Sequence, residues 1–371
     1  MKLLRPLTVM LALLTSAAFA ADSPFYVGTY TKTGGSKGIY RYLLDSESGK
    51  ITAGELAAEA KNPSFLAIHP GGKLLYAATE GATGEAAAYA IAADGTLKFL
   101  NKQSAKGNGT CHIVVDPTGQ NVLVANYGSG TVAVLPIQPD GGLGEASSFH
   151  QHTGSSADPA RQKGPHAHSI YVDPAAKFVY SCDLGTDRID GYKFDAAKGT
   201  ITLDETATGK VPPGSGPRHL ALHPKQDTAY VINEMLSTVT GFRRDPATGA
   251  LTAIDSVSTL PPAFTGKGNS TAEIFIHPNG KFLYGSNRGH DSIAVFAISS
   301  DGQLALVEHA PAAVKVPRSF ALDPTGQWLL TAGQDSNDIA VLKVDPATGK
   351  LTATAHRVEV GAPVCIMFVP R

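Results

Sequence analysis

Short runs of apolar residues, many alternating with polar ones, recur along the chain, and a recurring set of them ends in proline. A polar turn and a second apolar run follow all but the last of these prolines. This arrangement is typical of β-strands joined as hairpins, and the repeating segments contain no amphipathic helix pattern. The proline-terminated phrase occurs seven times, at intervals of 46 to 57 residues, as SFLAIHP (Pro70), CHIVVDP (Pro117), HSIYVDP (Pro174), RHLALHP (Pro224), AEIFIHP (Pro278), RSFALDP (Pro324) and VCIMFVP (Pro370).

A second recurring phrase marks another hairpin in each repeat. Asp-Gly and Ala-Thr-Gly turns between alternating strands are strong hairpin signals. Each repeat therefore contains about four short strands, which is typical of a β-propeller blade. The seven copies of this phrase are DSESGKIT, DGTL, DGGL, DAAKGTIT, DPATGALT, DGQL and DPATGKLT.

The two ends of the chain complement each other. The segment that begins FYVGTYTKTGG has the later strands of a blade but no proline-terminated first strand, and VCIMFVP supplies that strand at the other end. Closing a ring in this way removes exposed sheet edges. We therefore predict an all-β, seven-bladed β-propeller with four antiparallel strands per blade, closed by pairing of the N- and C-terminal strands, as a single domain over residues 21–371.

The first twenty residues have the features of a secretory signal peptide. Lys2 and Arg5 precede an apolar run from Leu7 to Leu14, and small residues lead up to Ala20. The apolar run is shorter than the ~20 residues that a membrane span needs. We predict that residues 1–20 are a signal peptide, and that the mature protein is exported, to the periplasm in a Gram-negative cell, with no membrane span.

Composition narrows the range of partners. Charged residues make up 17% of the chain and the formal net charge is −1, so no broad electrostatic field attracts nucleic acid or anionic lipid. The three cysteines, an odd number for an exported protein, lie in strand-like segments, where we expect buried free thiols. A propeller of this size buries enough core to be stable alone, so we expect a monomer.

Counting from each blade proline places equivalent residues around the ring. In a propeller the proline-terminated strand is innermost and the next strand is antiparallel to it, so residues about six before and ten after the proline should meet at one mouth of the central channel. The six-before set is Ser64, Cys111, His168, Arg218, Ala272, Arg318 and Val364. The ten-after set is Glu80, Tyr127, Leu184, Glu234, Arg288 and Gln334, with Asn126, Asp183, Asn233 and Asn287 one position earlier in their strands.

This predicted mouth combines arginines, glutamates and histidines. The planar guanidinium group suits carboxylate or phosphate oxygens and can also stabilise a developing oxyanion. Histidine titrates near neutral pH and glutamate can act as a base, so water could be activated beside such a ligand. The expected partner is therefore a small molecule with negative oxygens.

The pair His166 and His168 also allows a metal site, because alternate residues of a strand face the same side. Glu234 or His219 could then supply a further ligand. No HExxH motif, cysteine cluster or aspartate-rich loop accompanies the pair, and we predict no metal and no cofactor. A purely structural role for either histidine stays an alternative.

A structural alternative also exists for the charged residues of the mouth. Arg218 and Arg288 could be ion-pair partners of Glu234 and Asp183 that lock neighbouring blades together. Under this alternative Glu234 would have no chemical role either.

Eight phrases of the chain are similar to recurring phrases of the seven-bladed lactonase family, and the resemblance runs from about Phe25 to Pro370. They are NPSFLAIHP, VANYGSGTVAVLPI, GPHAHSIYVDP, DLGTDRIDGYKF, GPRHLALHP, YVINEM, FLYGSNRGHDSIAVF and PRSFALDPTGQWLL. That family contains the propeller type of 6-phosphogluconolactonase and the fungal carboxy-cis,cis-muconate lactonizing enzyme. The resemblance implies lactone chemistry without a metal, carried by four groups that correspond here to His168, Arg218, Glu234 and Arg288.

We therefore predict a metal-independent lactonase, a carboxylic-ester hydrolase that opens a sugar-acid lactone at the mouth of the channel. In this hypothesis Glu234 or His168 takes a proton from water, Arg218 stabilises the oxyanion, and Arg288 with Arg318 holds the anionic group of the substrate. The remaining predicted substrate-binding residues are His166, Glu80, Asn126 and Asn287. The export signal leaves the substrate open between a 6-phosphogluconolactone-like, an unphosphorylated gluconolactone-like and a muconolactone-like compound.

Two other functions remain alternatives at this point. An exported propeller can be a binding or scaffold protein whose channel performs no turnover, because fold alone does not decide function. A lactonizing cyclase of the muconate type would run the reaction in the opposite direction. The presence of the whole histidine, arginine, glutamate and arginine set favours an enzyme.

Overall fold

A computed structural model describes residues 22–32, 34–265 and 268–370. Its regular elements are 29 β-strands, and no helix occurs in these three ranges. The predicted signal peptide, residues 1–20, lies outside the described residues and stays a prediction. A search of the described residues for a helix long and apolar enough to cross a membrane finds none.

The strands form seven antiparallel sheets, which we call blades 1 to 7. Blades 1 to 3 contain β1 (Ser23–Thr29), β2 (Gly38–Leu44) and β3 (Glu55–Glu59); β4 (Pro63–Ile68), β5 (Leu74–Thr79), β6 (Glu85–Ile91) and β7 (Leu97–Ser104); and β8 (Thr110–Val115), β9 (Asn121–Asn126), β10 (Thr131–Pro136) and β11 (Ser148–Gln151). Blades 4 and 5 contain β12 (Ala167–Val172), β13 (Phe178–Asp183), β14 (Arg188–Asp195), β15 (Thr200–Leu203) and β16 (Gly209–Lys210); and β17 (Pro217–Leu222), β18 (Thr228–Asn233), β19 (Thr238–Arg244) and β20 (Leu251–Ser258). Blades 6 and 7 contain β21 (Ser270–Ile276), β22 (Phe282–Arg288), β23 (Ser292–Ile298) and β24 (Leu304–Pro311); and β25 (Pro317–Leu322), β26 (Trp328–Gly333), β27 (Asp338–Val344) and β28 (Leu351–Glu359), after which β29 (Pro363–Phe368) returns to blade 1.

The position of a strand within its blade explains its residue pattern. Second strands such as β9, with the sequence NVLVAN, are buried at every position because neighbouring blades cover both faces of the sheet. Outermost strands such as β28 alternate between exposed and partly buried residues, since their edge faces solvent. Seven clusters of buried apolar side chains in the described residues form the core, one between each pair of neighbouring blades.

Pairing of the two chain ends closes the ring, as the sequence predicted. β29 lies antiparallel to β1, with Phe25 opposite Phe368 and Val27 opposite Ile366, and the strand order of blade 1 is β29-β1-β2-β3. The proline-terminated strands lie innermost and contact one another around the axis. The predicted all-β, seven-bladed architecture with four antiparallel strands per blade is therefore confirmed, with one addition in blade 4, where the two-residue strand β16 also pairs with β14.

Each blade is also tied to the next by one recurring hydrogen bond. A side chain of its second strand donates to a backbone carbonyl in the turn between the third and fourth strands of the next blade, at 2.8 to 3.0 Å. The Asp-Gly and Ala-Thr-Gly turns therefore accept a bond between blades in addition to forming hairpins. The seven pairs are Tyr26–Gly95, Tyr76–Gly141, Asn121–Ala196, Tyr180–Gly249, Tyr230–Gly302, Tyr284–Gly349 and Trp328–Ser46.

Replacing Trp328 by phenylalanine should weaken the interface that closes the ring, between blades 7 and 1. The indole Nε1–H donates to the Ser46 carbonyl at 2.9 Å, and the side chain is 4% exposed. The variant removes that hydrogen bond and leaves a gap beside the carbonyl, so we expect a loss of about 2 kcal/mol in the free energy of unfolding. Urea titration followed by circular dichroism measures it, with Tyr284→Phe as the control that removes only a hydroxyl at another interface. An unchanged midpoint for Trp328→Phe would show that this contact does not stabilise the closure.

Candidate active site

A β-bulge near the mouth of the channel shapes the innermost strand of every blade. In β17, Pro217 pairs with Asn233 and His219 pairs with the preceding Ile232, so Arg218 is one residue more than its partner strand provides. Bulges bend a strand and re-aim its side chains, and they are common beside active sites. The extra residues are Ser64, Cys111, His168, Arg218, Arg318 and Val364, and in β21 both Ala272 and Glu273 lie opposite Ser286.

These bulges and the ends of the second strands surround a cavity of about 270 Å³. Most of its wall comes from the six-before and ten-after positions that the sequence register predicted. The lining residues are Tyr30, Glu80, Cys111, Tyr127, Arg161, His168, Glu234, Arg288 and Arg318.

The carboxylate of Glu234 is the centre of the charge arrangement. Its Oε2 lies 2.9 Å from Arg288 Nη2 and 3.3 Å from Arg218 Nε. Its Oε1 accepts a hydrogen bond from Arg161 Nη2 at 2.9 Å, and His168 Nε2 lies 4.0 Å from Oε2. One buried acid therefore holds three guanidinium groups around the cavity. The pair with Arg288 joins blades 5 and 6, as in the predicted alternative of interblade ion pairs, whereas Arg218 and Glu234 both belong to blade 5.

The pKa of Glu234 follows from this arrangement. Burial alone would raise it, but the charges of Arg288 and Arg218, with the hydrogen bond from Arg161, lower the pKa of Glu234 to about 2. The side chain is therefore ionised at neutral pH and is a weak base. In this position the carboxylate can hold the arginines in place and stabilise a positive charge beside it.

His168 has the opposite character. Burial first, and then the charge of Arg218, lower the pKa of His168 well below its usual value. The imidazole is therefore neutral at pH 7 and keeps a nitrogen lone pair that can accept a proton. Cys111 Sγ lies 3.9 Å from His168 Nδ1, and burial raises the pKa of that thiol to about 12, so it stays protonated.

Arg318 has no carboxylate partner within ion-pair distance in the described part of the chain. Its guanidinium lies over the ring of Tyr30, 5.3 Å from the ring centre, and the Tyr30 hydroxyl donates to Glu80 Oε2 at 3.0 Å. Burial would lower the pKa of Arg318, but Tyr30 and Glu80 raise it above its ordinary value. This cation lines the cavity, and no hydrogen bond of its guanidinium group to the described residues is found.

The structure brings most of the predicted site residues together. His168, Glu234, Arg288, Arg318 and Glu80 line the cavity. Arg218 lies directly behind them, 3% exposed, and reaches the site through Glu234.

Three predicted substrate-binding residues occupy other positions. His166 stacks on Tyr127 and bonds to its carbonyl oxygen at 2.9 Å, so it supports the wall without lining the cavity. Asn126 and Asn287 are fully buried, and their side-chain amides are bonded to neighbouring loops, Asn287 to Thr259 at 2.7 and 2.8 Å and Asn126 to the Ala105 carbonyl at 2.8 Å. Substrate contact at these two asparagines is not supported by their position, because side chains alternate along a strand and theirs face away from the cavity.

Counting from the blade prolines did not predict two of the residues that line the cavity, Tyr30 and Arg161. Tyr30 follows β1, whose innermost partner is the C-terminal strand, so no preceding proline exists from which to count it. Arg161 lies in the loop 152–166, which contains none of the positions obtained by counting from the blade prolines. The long interval between Pro117 and Pro174 was the available signal for that loop.

The loop 152–166 is held at both ends by one buried carboxylate. Asp183 Oδ2 lies 2.6 Å from His152 Nδ1, and its Oδ1 accepts the backbone N–H of His166 at 2.9 Å. Asp183 therefore pairs with His152, where the structural alternative considered an arginine partner.

The geometry does not favour the alternative metal site. Both imidazoles pack against Tyr127, but His166 bonds to the Tyr127 carbonyl oxygen and lies outside the cavity that His168 lines, so the two rings do not face a common ligand position. The oxygens of Glu234 are occupied by arginines, whose charge opposes a cation. In the described ranges, no group of three or more His, Cys, Asp or Glu side chains is arranged to hold a metal ion.

Comparison with known proteins identifies the family. Residues 24–368 match the family described as "Lactonase, 7-bladed beta-propeller". The chain is 39% identical over 347 residues to the 6-phosphogluconolactonase of Bacillus subtilis (strain 168), covering 93% of this chain and 97% of that protein. It is 34% identical over 336 residues to the 6-phosphogluconolactonase of Formosa agariphila, covering 88% of this chain and 94% of that protein.

A solved structure agrees with this result. The periplasmic gluconolactonase of Pseudomonas aeruginosa superposes with a TM-score of 0.88 at 30% identity, over 94% of this chain and 99% of that one. The relatives confirm the predicted enzyme class, a lactonase among the carboxylic-ester hydrolases. The chain therefore belongs to the seven-bladed β-propeller lactonase family.

Proposed function

We propose that the protein hydrolyses the lactone of a sugar acid in the cavity at the mouth of the channel, without a metal or other cofactor. The observation that carries this proposal is a neutral imidazole, His168, beside two guanidinium groups that each have an unused donor. The Nε–H groups of Arg218 and Arg288 are buried and make no hydrogen bond among the described residues, although Arg218 Nε lies 3.3 Å from Glu234 Oε2. Buried donors of this kind suit an oxygen that gains negative charge during the reaction.

In the proposed reaction His168 removes a proton from water while the water oxygen bonds to the lactone carbonyl carbon. Charge on the carbonyl oxygen is stabilised by Arg218 and Arg288, and the imidazolium by the carboxylate of Glu234, 4.0 Å away. When the intermediate collapses, the ring C–O bond breaks and His168 returns the proton to the ring oxygen. The product is the open-chain hydroxy acid. The sequence left Glu234 and His168 as alternative bases. We propose His168, because arginines occupy both oxygens of Glu234 whereas the neutral imidazole keeps a nitrogen lone pair.

Arg318 supports a substrate that carries a second anionic group. It faces the cavity without a carboxylate partner in the described residues, and a guanidinium binds phosphate or carboxylate oxygens through two parallel hydrogen bonds. The names of the relatives, 6-phosphogluconolactonase and gluconolactonase, cover a phosphorylated and an unphosphorylated sugar lactone. Glu80, which holds Tyr30 under Arg318, is proposed to keep this anion site in place.

Metal independence is supported by the charge of the site. Three arginines surround Glu234, and a divalent cation would have to displace at least one of them from its carboxylate. We further propose that the mature chain is exported after removal of residues 1–20 and acts as a monomer on a small molecule. The features of the first twenty residues and the closed ring support these points.

Arg318→Met should affect the KM of a phosphorylated substrate and that of an unphosphorylated substrate differently. We expect wild-type protein to hydrolyse 6-phosphogluconolactone or gluconolactone in the presence of EDTA. If the substrate is phosphorylated, Arg318→Met should raise its KM about 10-fold or more, the value of one charge-assisted hydrogen bond, and leave the KM of gluconolactone unchanged. Arg243→Met, which removes an exposed arginine, is the matched control.

The protein for this assay is purified from the periplasm of a Gram-negative host. Its N-terminal sequence tests cleavage after Ala20 and its mass in solution tests the monomer. Loss of activity in EDTA that zinc or magnesium restores would contradict metal independence. Tight binding of lactones or hydroxy acids with no turnover would favour the binding protein, and net ring closure of a muconate would favour the cyclase.

A further inference from the structure

Directly behind Arg218, on the side away from the cavity, lies a second buried acid that the proposed reaction does not use. Glu273 Oε1 lies 2.6 Å from His219 Nδ1, and His219 Nε2 lies 3.2 Å from Arg218 Nη1. Glu273, His219 and Arg218 are 4%, 1% and 3% exposed. The three groups form a continuous chain from blade 6 to the guanidinium in blade 5.

This chain determines which nitrogen of His219 carries the proton. Arg218 Nη1 can only donate, so His219 Nε2 must accept, and the proton of the neutral ring must be on Nδ1, where it is donated to Glu273. Burial, and then Arg218, lower the pKa of His219 well below its usual value, so the ring stays neutral. A protonated ring would have a donor on each nitrogen and would turn Arg218 away.

The remaining neighbours of His219 offer it no competing hydrogen bond. The rings of Phe65, His112 and His168 pack around it at 5.6, 5.1 and 5.5 Å between ring centres. The ionisable groups that face the pair are Arg218 on its own strand, His112 from β8, His168 and Tyr171 from β12, and the more distant Arg318, whose charge reaches it.

Glu273 itself faces away from the cavity described above. It lines a second, largely apolar cavity of about 470 Å³ with Phe65, Tyr171 and Phe275. Burial there raises the pKa of Glu273 to about 7, although Arg218 opposes the rise. In either protonation state a carboxyl oxygen remains to accept the Nδ1 proton of His219, so the pair holds its arrangement on both sides of neutral pH.

We propose that Glu273 and His219 are positioning residues for Arg218. They fix Nη1, which also donates to the Ala272 carbonyl at 2.6 Å, and so keep Nε of Arg218 beside Glu234, whose carboxylate lines the cavity. This inference rests on the proposed role of Arg218 in lactone hydrolysis. It predicts that the pair acts on the reaction only through that guanidinium.

A double-mutant cycle tests this dependence. His219→Phe removes the acceptor and keeps an aromatic ring, and we expect kcat to fall about 10-fold, the equivalent of about 1.4 kcal/mol, with KM changed less than about twofold. Glu273→Gln, which retains an oxygen acceptor but permits the other tautomer, should lower kcat by about threefold. In an Arg218→Ala background each change should lower kcat by less than about twofold further.

His223→Phe is the matched control. It changes a buried histidine just beyond the other end of β17, which bonds to the Gly280 carbonyl at 2.8 Å. Its stability should fall while kcat stays unchanged. Losses for His219→Phe and Arg218→Ala that multiply in the double variant would overturn the proposal, since a merely structural effect on the blade acts independently of Arg218.

A second readout separates this proposal from the proposed function. The same variants are compared for binding of inorganic phosphate by calorimetry, which requires the cationic site but no hydrolysis. If wild-type protein hydrolyses none of the lactones, the proposed function fails. Non-additive losses of phosphate affinity in the cycle would then still support the positioning role, and additive losses would overturn it.

Discussion

A chain that ends at Gly361 should lose the cooperative fold. The deletion removes β29, including Cys365 and Ile366, which are 1% and 2% exposed. It also leaves β1 with an unpaired edge and opens the clusters that blade 1 shares with blades 2 and 7. Each buried apolar side chain of this size contributes about 1.5–3 kcal/mol, and a whole domain is stable by only about 5–15 kcal/mol. The free energy lost in the deletion therefore approaches the whole free energy of unfolding.

Circular dichroism during heating measures this effect, together with binding of a dye that recognises exposed apolar surface. We expect a melting temperature lower by more than 10 °C, or no cooperative transition, because the ring can no longer close. A chain that ends at Val369 keeps β29 complete and is the control. If the shorter chain melts cooperatively at the temperature of the full-length protein, the closing strand does not stabilise the ring.

Arg218→Ala should lower kcat for lactone hydrolysis about 100-fold or more. Arg218 supplies a buried Nε–H that makes no hydrogen bond in the described residues and lies 3.3 Å from Glu234 Oε2, and loss of one preorganised donor to a developing oxyanion costs about two to three powers of ten. Glu234 keeps Arg161 and Arg288 in the variant, so the remaining site should stay assembled. Single-turnover and steady-state rates measure the effect.

A second variant guards against a folding artefact. Arg218→Lys keeps the charge but loses the planar group that donates from Nε and Nη1 together, and it should also be strongly impaired. Melting temperatures of both variants establish that the fold is intact. An unchanged kcat in a folded Arg218→Ala protein would remove this residue from the mechanism.

The register of the blade prolines located the site because propeller geometry is periodic. His168, Glu234 and Arg288 are far apart in the chain, but each occupies a defined position relative to its own proline, and those positions meet at one mouth. The same reasoning reached Glu80 and Arg318. It could not reach Tyr30, whose blade is assembled from both ends of the chain, or Arg161, whose loop follows no repeat.

The direction of individual side chains at the mouth was predicted less well than their position along the strands. His166 and His168 suggested one shared face, but with the bulge in β12 only His168 lines the cavity, although both rings pack against Tyr127. Asn126 and Asn287 lie one position before the mouth residues, and they bond to buried loops instead of lining the cavity. One inserted residue in β12 reverses the alternation of faces, and a hydrophobic pattern does not record it. The strands β9 and β22 carry no inserted residue, and ordinary alternation turns their asparagines away from the cavity.

The sequence by itself therefore determined the architecture, the closure of the ring and the position of the mouth, since hydrophobic alternation and turn residues are local properties that repeat in each blade. Only the tertiary structure decided the chemistry of the individual groups. The low pKa of Glu234, the neutral state of His168 and the contact of Glu273 with His219 arise from burial and from charges on other blades. Electrostatic interaction depends on distance and on exclusion of water, and both are set when distant segments pack together.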